Sequence, residues 1–579
     1  MATGFMADKM GLDPNPTWGK ARIIVTTGGA ILILSSLLYD RYIGAWAKIL
    51  RSRLINRFPS IFGKNASDEK RDDRLRGVYL FVASFLVVLI VSLIYTWVIT
   101  TGTWNKWVPY TYYYADLATS FQHGHLYLET MPSPELLALS DPYDPAMRTD
   151  IEVFIDASLY KGRYYLYWGP VPALLLLLSN WILSGVNADL YLLYAFMIGA
   201  LIFKTALLLL IFRRFFKQLP VWLFALGLLI TGIVGHYAWT LNRPRVYETA
   251  TTGGGFFFIA GFYFAYRALE SNFSYKNLTL AGFMWACALG TRMIQLLPIA
   301  SVIMMIITRD LTRQGNIPAW DKIAKSILGL GLPIAFALSG IAWYNFARFE
   351  SIFEFGLYYQ LLGGVDLQSF YDSIFSMQFV PQNIYNYLFA PFRQIKRFPF
   401  IVPELGLKEA IFSFQTVPPQ YTTERITGLF RSSPILASVF CPLIVLFGNK
   451  LKIRGRVAKV HQTEDESIFR WLILSLTASS VLGFIPVAMY YWAANRFVAD
   501  FMSPLSVLAI IGMWIFYSNL STNGYLKPWI VLGIVALSLF SIMINLFLLS
   551  DVQRISVQNP ELYNQLKGLV LTLPELFSK

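Results

Sequence analysis

Tyr164 to Ser184 reads YYLYWGPVPALLLLLSNWILS, and the placing of this stretch decides the topology of everything after it. It is apolar enough to cross the roughly 30 Å of hydrocarbon that a span of about 20 residues covers. Were it to cross, the cluster Arg213-Arg214-Phe215-Phe216-Lys217 would land on the side opposite the other basic clusters, against the tendency of Lys and Arg to collect on the cytoplasmic side. Laid along the interface instead, with Tyr and Trp at headgroup level, it leaves every basic cluster on one face. Those clusters are the 41–76 segment (Lys48, Arg51, Arg53, Arg57, Lys64, Lys70, Arg71, Arg74, Arg76), Arg213 to Lys217, Arg309 to Lys325, and Lys450 to Arg456. We therefore read Tyr164–Ser184 as an interfacial helix.

Outward from it, apolar runs of spanning length fall at about 22–40, 77–99, 190–212, 219–241, 254–270, 278–308, 326–346, 430–448, 469–490, 501–519 and 527–549. The 278–308 run is interrupted by Gly290-Thr291-Arg292 and closed by Pro298, which predicts a hairpin of two short helices with Arg292 at its turn. The expected architecture is an all-α polytopic membrane protein of about twelve transmembrane helices. It has a large extracytoplasmic first loop at 100–189 that contains interfacial helices, a second outer loop at 347–429, and an outer tail after about 550. The first apolar run ends in Tyr39-Asp40-Arg41 with no small-residue cleavage site, so it is expected to be a span and not a removed leader.

Composition agrees. Of 579 residues, 56% are apolar, 16% aromatic and only 14% charged, and the mean hydropathy is +0.50, where soluble domains carry about 25% charged residues. A soluble globule, a disordered chain and a coiled coil are excluded. The 48 Lys and Arg against 34 Asp and Glu give a net charge of +14, which here reflects basic cytoplasmic loops and not a nucleic-acid partner. Cys287 and Cys441, the two cysteines, both lie in apolar stretches, so neither a disulfide framework nor a cysteine metal site is available.

Charged groups at the outer ends of spans are the candidates for chemistry, because a charge at the membrane edge must be paired, desolvated or used. In the first loop, Thr111 to Tyr127 places Asp116 and His123 or His125 on one short helix; the two histidines flank Gly124 and are expected to face different sides, a weak zinc pair. Asp141-Pro-Tyr-Asp144-Pro reads as turn chemistry. Asp156 stands just ahead of Lys161-Gly162-Arg163, a predicted hairpin turn, and a belt of tyrosines. Asn242-Arg243-Pro244-Arg245-Val246-Tyr247-Glu248 puts two guanidiniums and a carboxylate at one span's outer end, with an Arg245 to Glu248 helical pair as the plain alternative. Gly253-Gly254-Gly255 reads as helix packing, since no strand or Gly-Lys-Ser/Thr accompanies it. Arg292 and Arg496 sit where an arginine could fork onto a phosphate or snorkel to headgroups.

Taken together, a span ending in a large outer loop, Tyr114-x-x-x-Ala118-x-x-x-x-x-Gly124, Trp168-Gly169-Pro170, short central spans and Arg496-Phe497-x-x-Asp500 resemble the GT-C superfamily of polytopic glycosyltransferases, which includes protein mannosyltransferases and the lipid A aminoarabinose transferase. The resemblance covers about 77–520; residues 1–76 look like an added span and basic loop, and 521–579 supply a C-terminal span and tail. It implies a hexosyl- or pentosyltransferase that passes a sugar from a polyprenyl-phosphate donor to a hydroxyl of a glycan, lipid or protein at the outer face of a bacterial cytoplasmic membrane, usually with inversion.

An acid of the first loop would be the base, and cations would stabilise the departing lipid phosphate. In such families the loop acid commonly lies about eight residues before the alanine matching Ala118; here Tyr110-Thr111 hold that register and Asp116 lies two before it. Asp116 and Asp156 therefore compete as base, with Glu248 third. Arg243, Arg245, Arg292, Arg496, Tyr114, Lys161 and Arg163 are the candidate substrate contacts. The superfamily admits a divalent metal, but the sequence shows no compact ligand set. Two other classes fit a chain of this kind. One is a lipid or solute transporter, which would carry internal repeats that are not evident here; the other is a non-catalytic relative that binds polyprenyl lipid.

Overall fold

A computed structural model describes residues 68–182, 188–313, 320–413, 415–447, 459–520 and 527–569. The expected span at 22–40, most of the 41–76 cluster and the 450–456 cluster lie outside these residues. The long helices are α1 (Asp68–Ile99), a short α2 in the first loop (Tyr113–Gln122), α3 (Val171–Ile182), α4 (Asp189–Phe215), α5 (Val221–Ile233), α6 (Val246–Glu270), α7 (Tyr275–Leu289), α8 (Leu296–Arg313) and α9 (Leu332–Phe349). After the second loop come α10 (Phe440–Phe447), α11 (Lys459–Met489), α12 (Ala499–Ser518), α13 (Lys527–Leu548) and two tail helices, α14 (Val552–Gln558) and α15 (Pro560–Lys567).

Among the described residues, six helices are long and apolar enough to cross a membrane: Asp72–Ile99, Asp189–Phe215, Ile323–Phe349, Glu464–Met489, Asn495–Ser518 and Lys527–Leu548. The other expected runs take different forms, so the count of about twelve is not reached on these criteria. α5 has only 13 residues, about 20 Å of helix. The 430–448 run divides into a turn, a 3-10 stretch from Pro434 to Val439, and α10. α6 carries Thr-Thr-Gly-Gly-Gly in its first half and is enclosed by protein along most of its length, so it needs no lipid-facing apolar surface. α1 shows the opposite: Phe81, Phe85, Leu89 and Leu93 point outward, as a lipid-facing helix requires.

The three glycines of α6 set how closely its neighbours approach. A Cβ on Gly254 would lie 2.7 Å from the Arg292 Cβ, and one on Gly253 would lie 2.7 Å from the Phe196 ring of α4. This is the packing role expected from the sequence. Arg292 does sit at the turn between α7 and α8, as the interrupted run predicted. Tyr164–Ser184, by contrast, is not one helix. It begins in strand β2 (Arg163–Tyr165), breaks at Gly169-Pro170 and continues as α3, of 12 residues. The break docks the segment onto the Arg292 turn: Val171 N donates to Gly290 O at 3.0 Å, and a Cβ on Gly169 would meet that carbonyl at 2.1 Å.

Both large loops lie at the same end of the bundle. β1 (Ser158–Tyr160) and β2 form the expected hairpin, with Lys161 (φ 46°) and Gly162 (φ 73°) in its turn. The second loop contributes β3 (Phe392–Gln394), β4 (Ile401–Leu405), β5 (Thr422–Thr423) and β6 (Arg425–Ile426); β4 pairs with β3 and β6, and β5 runs parallel to β7 (Trp492–Ala493). A bridge between Ser158 and Gln360 ties the two loops together. The tail is fastened at this end as well, by buried Arg554, which donates to the carbonyls of Leu241 (3.0 Å), Asn242 (3.3 Å) and Ile99. Cationic donors satisfy carbonyls left free at helix ends. At the opposite end Arg214 binds Asp465 and Glu270.

Candidate active site

Four segments far apart in sequence converge on Asp156. Its backbone is in the left-handed region (φ 65°), which Asp tolerates better than most residues, and is held there by Asp156 N donating to Leu361 O at 2.7 Å. The carboxylate accepts from the Tyr247 hydroxyl and, at 3.3 Å, from Gln360 Nε2. Tyr247 stands in the first turn of α6, its ring edge-on to Trp168 at 5.2 Å and beneath the Arg496 guanidinium at 5.0 Å. Arg496 Nη1 in turn donates to Glu424 Oε1, which also takes the Trp492 indole N–H at 3.2 Å. Glu424 reaches this position because β5 lies on β7: Thr422 N donates to Tyr491 O at 2.9 Å and Glu424 N to Ala493 O at 2.8 Å.

The electrostatics are incompletely balanced. Burial pushes the Asp156 carboxyl up to about 6 from its ordinary 3.8, an effect that Arg496 and then Arg245 oppose and Glu424 reinforces. Among the described residues the Arg245 guanidinium has no hydrogen-bonding or ion-pair partner, its neighbour being the Tyr110 ring at 5.8 Å. The alternative of an Arg245 to Glu248 helical pair is not formed; Arg245 is the extended residue that precedes α6. Glu248 is 2% exposed with Oε2 unpartnered, and Arg496 Nε is likewise buried without an acceptor. Unsatisfied buried polar atoms on both a carboxylate and a cation are uncommon in a merely structural cluster.

Beside this centre, Arg292 forks onto both oxygens of Asp500, at 3.1 and 2.9 Å. Arg292 and Arg496 share the face of Phe497. Tyr114, in the first turn of α2, is buried with its hydroxyl unpartnered. α2 itself is fixed by Asp189 at the start of α4, which accepts from Thr111 Oγ1 (2.6 Å), Tyr114 N (2.9 Å) and Tyr113 N (3.1 Å), a carboxylate capping a helix N-terminus.

The remaining candidates lie elsewhere. Asp116 accepts from Glu129 N (3.1 Å), Thr130 N (3.3 Å) and Thr130 Oγ1 (2.9 Å), which makes it the organiser of the turn after α2. Arg243 pairs with Asp551 of the tail at 3.2 Å. Lys161 pairs with Glu350 at the surface, and Arg163 lies over the Tyr127 ring at 4.2 Å. His123 and His125 do not face different sides: the left-handed Gly124 (φ 84°) brings both Nδ1 atoms to Glu129.

Glu424, Gln360, Asp189 and Glu129 were missed by sequence reasoning, and Tyr247 and Asp500 were quoted without a role. A signal existed for Asp500 and Glu424, since each edge arginine required a carboxylate partner. None existed for Gln360.

No family model matches the chain, and neither does any curated protein. Among solved structures it is similar to the crystal structure of the Archaeoglobus fulgidus oligosaccharyltransferase in the apo form, with a TM-score of 0.45 and 12% identity, over 86% of this chain and 61% of that one. The chain thus spans about three fifths of that neighbour's length.

Proposed function

We propose that the protein is a membrane glycosyltransferase of GT-C type that transfers a sugar from a polyprenyl-phosphate donor to an acceptor hydroxyl at the extracytoplasmic face, with Asp156 as the general base. The observation that carries this reading is the half-buried Asp156 carboxyl, tuned to about 6, beside the unpaired guanidinium of Arg245 and the half-satisfied one of Arg496. A base titrating near 6 is ionised at neutral pH and still basic enough to take a proton as a bond forms.

In the reaction the acceptor oxygen attacks the anomeric carbon and its proton passes to Asp156. The bond from that carbon to the phosphate oxygen breaks, and the electron pair leaves with the polyprenyl phosphate. Arg245 and the free Nε of Arg496 meet the charge that grows there; donors in place before the reaction are worth most where charge develops. In this reading the unpartnered Glu248 Oε2 accepts from a sugar hydroxyl. Arg292, already forked by Asp500, positions the Arg496 side of the site through Phe497. Because Asp156 comes from the first loop, its partner Gln360 and the Arg496 partner Glu424 from the second, and the arginines from helix ends, the donor phosphate is read at the loop-bearing end, opposite Arg214.

Asp156→Asn and Asp116→Asn test the assignment with labelled polyprenyl-phosphate sugars in vesicles. The expected outcome is a loss of about 10²–10⁴-fold for Asp156→Asn and less than about tenfold for Asp116→Asn. Full transfer by both variants would refute the catalytic assignment, and loss confined to Asp116→Asn would move the base to α2.

A further inference from the structure

We propose that His123, His125 and Glu129 form a binding site for one divalent transition-metal ion of the zinc class, separate from the centre around Asp156. The sequence supplies two imidazoles on either side of a glycine and a carboxylate four residues beyond the second. The fold turns all three to one point. His123 Nδ1 lies 2.8 Å and His125 Nδ1 3.7 Å from the same Glu129 oxygen, and the three ligand atoms lie within 4.8 Å of one another. Ligands of a tetrahedral zinc stand about 3.3 Å apart at metal distances of about 2.0–2.1 Å, so the His123–Glu129 pair must open from 2.8 Å and the His125–Glu129 pair close from 3.7 Å, shifts within reach of side-chain rotation. Two nitrogens and one carboxylate oxygen leave a fourth position for water or another oxygen ligand.

Three further features suit a cation here. His125 Nδ1 is buried and has no hydrogen-bond partner, although a carboxylate lies just beyond reach. The amides of His123 and His125 both donate to carbonyls of the last turn of α2 (His123 to Thr119 and Ser120, His125 to Ser120), so the pair is anchored at a helix C-terminus, the end that favours positive charge. The supporting shell is built as well. Asp116 binds the backbone amide of the ligand Glu129 at 3.1 Å, and the His125 ring stacks on Tyr127 at 4.3 Å and 7°. Groups that hold ligands in place contribute about 10–100-fold to metal affinity. Among the described residues, none of the three ligands contacts Asp156, Arg245 or Arg496.

The test uses the full chain in nanodiscs without a polyhistidine tag, titrated with Co²⁺ and followed by the visible absorption of four-coordinate cobalt and by elemental analysis, then challenged with Zn²⁺. Wild type is expected to take up one Co²⁺ per chain, displaced by Zn²⁺. His125→Ala and Glu129→Gln are expected to weaken binding by more than about tenfold. His123→Ala must do the same with an unchanged elution profile, its side chain being 58% exposed. Asp116→Asn should show a smaller loss. Wild-type protein that binds less than one equivalent, or ligand variants that bind as wild type does, would overturn the site. Asp156→Asn is expected to bind Co²⁺ normally even if it abolishes transfer; loss of cobalt there would overturn the separation of the two sites.

Discussion

Arg292 and Arg496 lie against the same ring, with guanidinium carbons 5.8 and 4.9 Å from the centre of Phe497, yet they are held in different ways. Arg292 has both oxygens of a carboxylate whose side chain is 0% exposed, and Gln295 holds the backbone of that same residue at 3.0 Å. Arg496 has one oxygen of a carboxylate it shares with Trp492, and its Nε faces no acceptor. Among the described residues Arg245 has no hydrogen-bonding or ion-pair partner, only the Tyr110 ring at 5.8 Å. The gradient runs from a closed pair that can only brace the helix ends to open cations that can still take a ligand. A buried ion pair in full fork geometry gains little from a substrate phosphate and would lose much by breaking, so we assign Arg292–Asp500 to architecture and Arg245 with Arg496 to substrate.

The largest expected effect tests the closed side of that comparison. Asp500→Ala leaves a buried guanidinium without its counter-charge and should cost about 3–5 kcal/mol of stability, read as loss of folded yield or a fall in Tm by thermal unfolding in detergent. Arg292→Leu with Asp500→Leu together, which removes both charges, should recover most of that stability. Should Asp500→Ala fold as well as wild type while transfer is lost, the pair belongs to the reaction and the division between the two arginines is wrong.

The open side predicts the reverse pattern. Arg245→Gln removes a cation that has no hydrogen-bonding or ion-pair partner among the described residues, so Tm should stay within a degree or two of wild type. Transfer should fall about 10²-fold, as when one preorganised donor to a developing charge is lost. If Arg245 only snorkels to headgroups, transfer will be unchanged, and the phosphate must then be sought at Arg496 alone. Arg243→Gln, which breaks a half-exposed pair with Asp551, serves as the control and should alter both readouts little.

The sequence made some of this arrangement legible and hid the rest, for a physical reason. The Arg292 turn, the Lys161-Gly162 hairpin and the packing role of Gly253 to Gly255 are local: an interruption in an apolar run, a residue that accepts positive φ, a missing Cβ. Asp156 and Asp116 looked alike because both are loop acids near aromatic residues. What separates them is the partner each meets, and those partners, Gln360 and Tyr247 for one and the Glu129–Thr130 amides for the other, are fixed by how the loops fold back. That Arg496 needed a carboxylate was readable, but which one was not, since only the pairing of β5 with β7 carries Glu424 to it. The interfacial stretch at Tyr164–Ser184 was read as one helix because its composition is uniformly apolar. Gly169 and Pro170 break it, and the break seats it on Gly290. Among the described residues α6 falls outside the six helices that meet a length and hydropathy criterion, because a helix enclosed by other helices can carry threonines and glycines that hydropathy alone scores against it.

The smallest expected effect comes from the cost of keeping Asp156 poised. Its folded value of about 6 lies above its ordinary 3.8, so the native state binds a proton more tightly than the unfolded chain does. Its contribution to stability is therefore fully present below about pH 4 and is lost as pH rises through about 6. At neutral pH the ionised carboxylate costs roughly 1–3 kcal/mol. Asp156→Asn removes that titration, so the variant should be more stable than wild type at pH 7, and its advantage should shrink as the pH is lowered toward 4. Wild-type kcat/KM should in turn fall about tenfold per pH unit below about 6, as the base becomes protonated. A variant that loses transfer while gaining Tm at pH 7 would be explained by a carboxylate held against its own solvation for the sake of the reaction. Loss of both would instead make Asp156 a structural acceptor for Tyr247 and Gln360, in the way Asp116 serves the turn after α2.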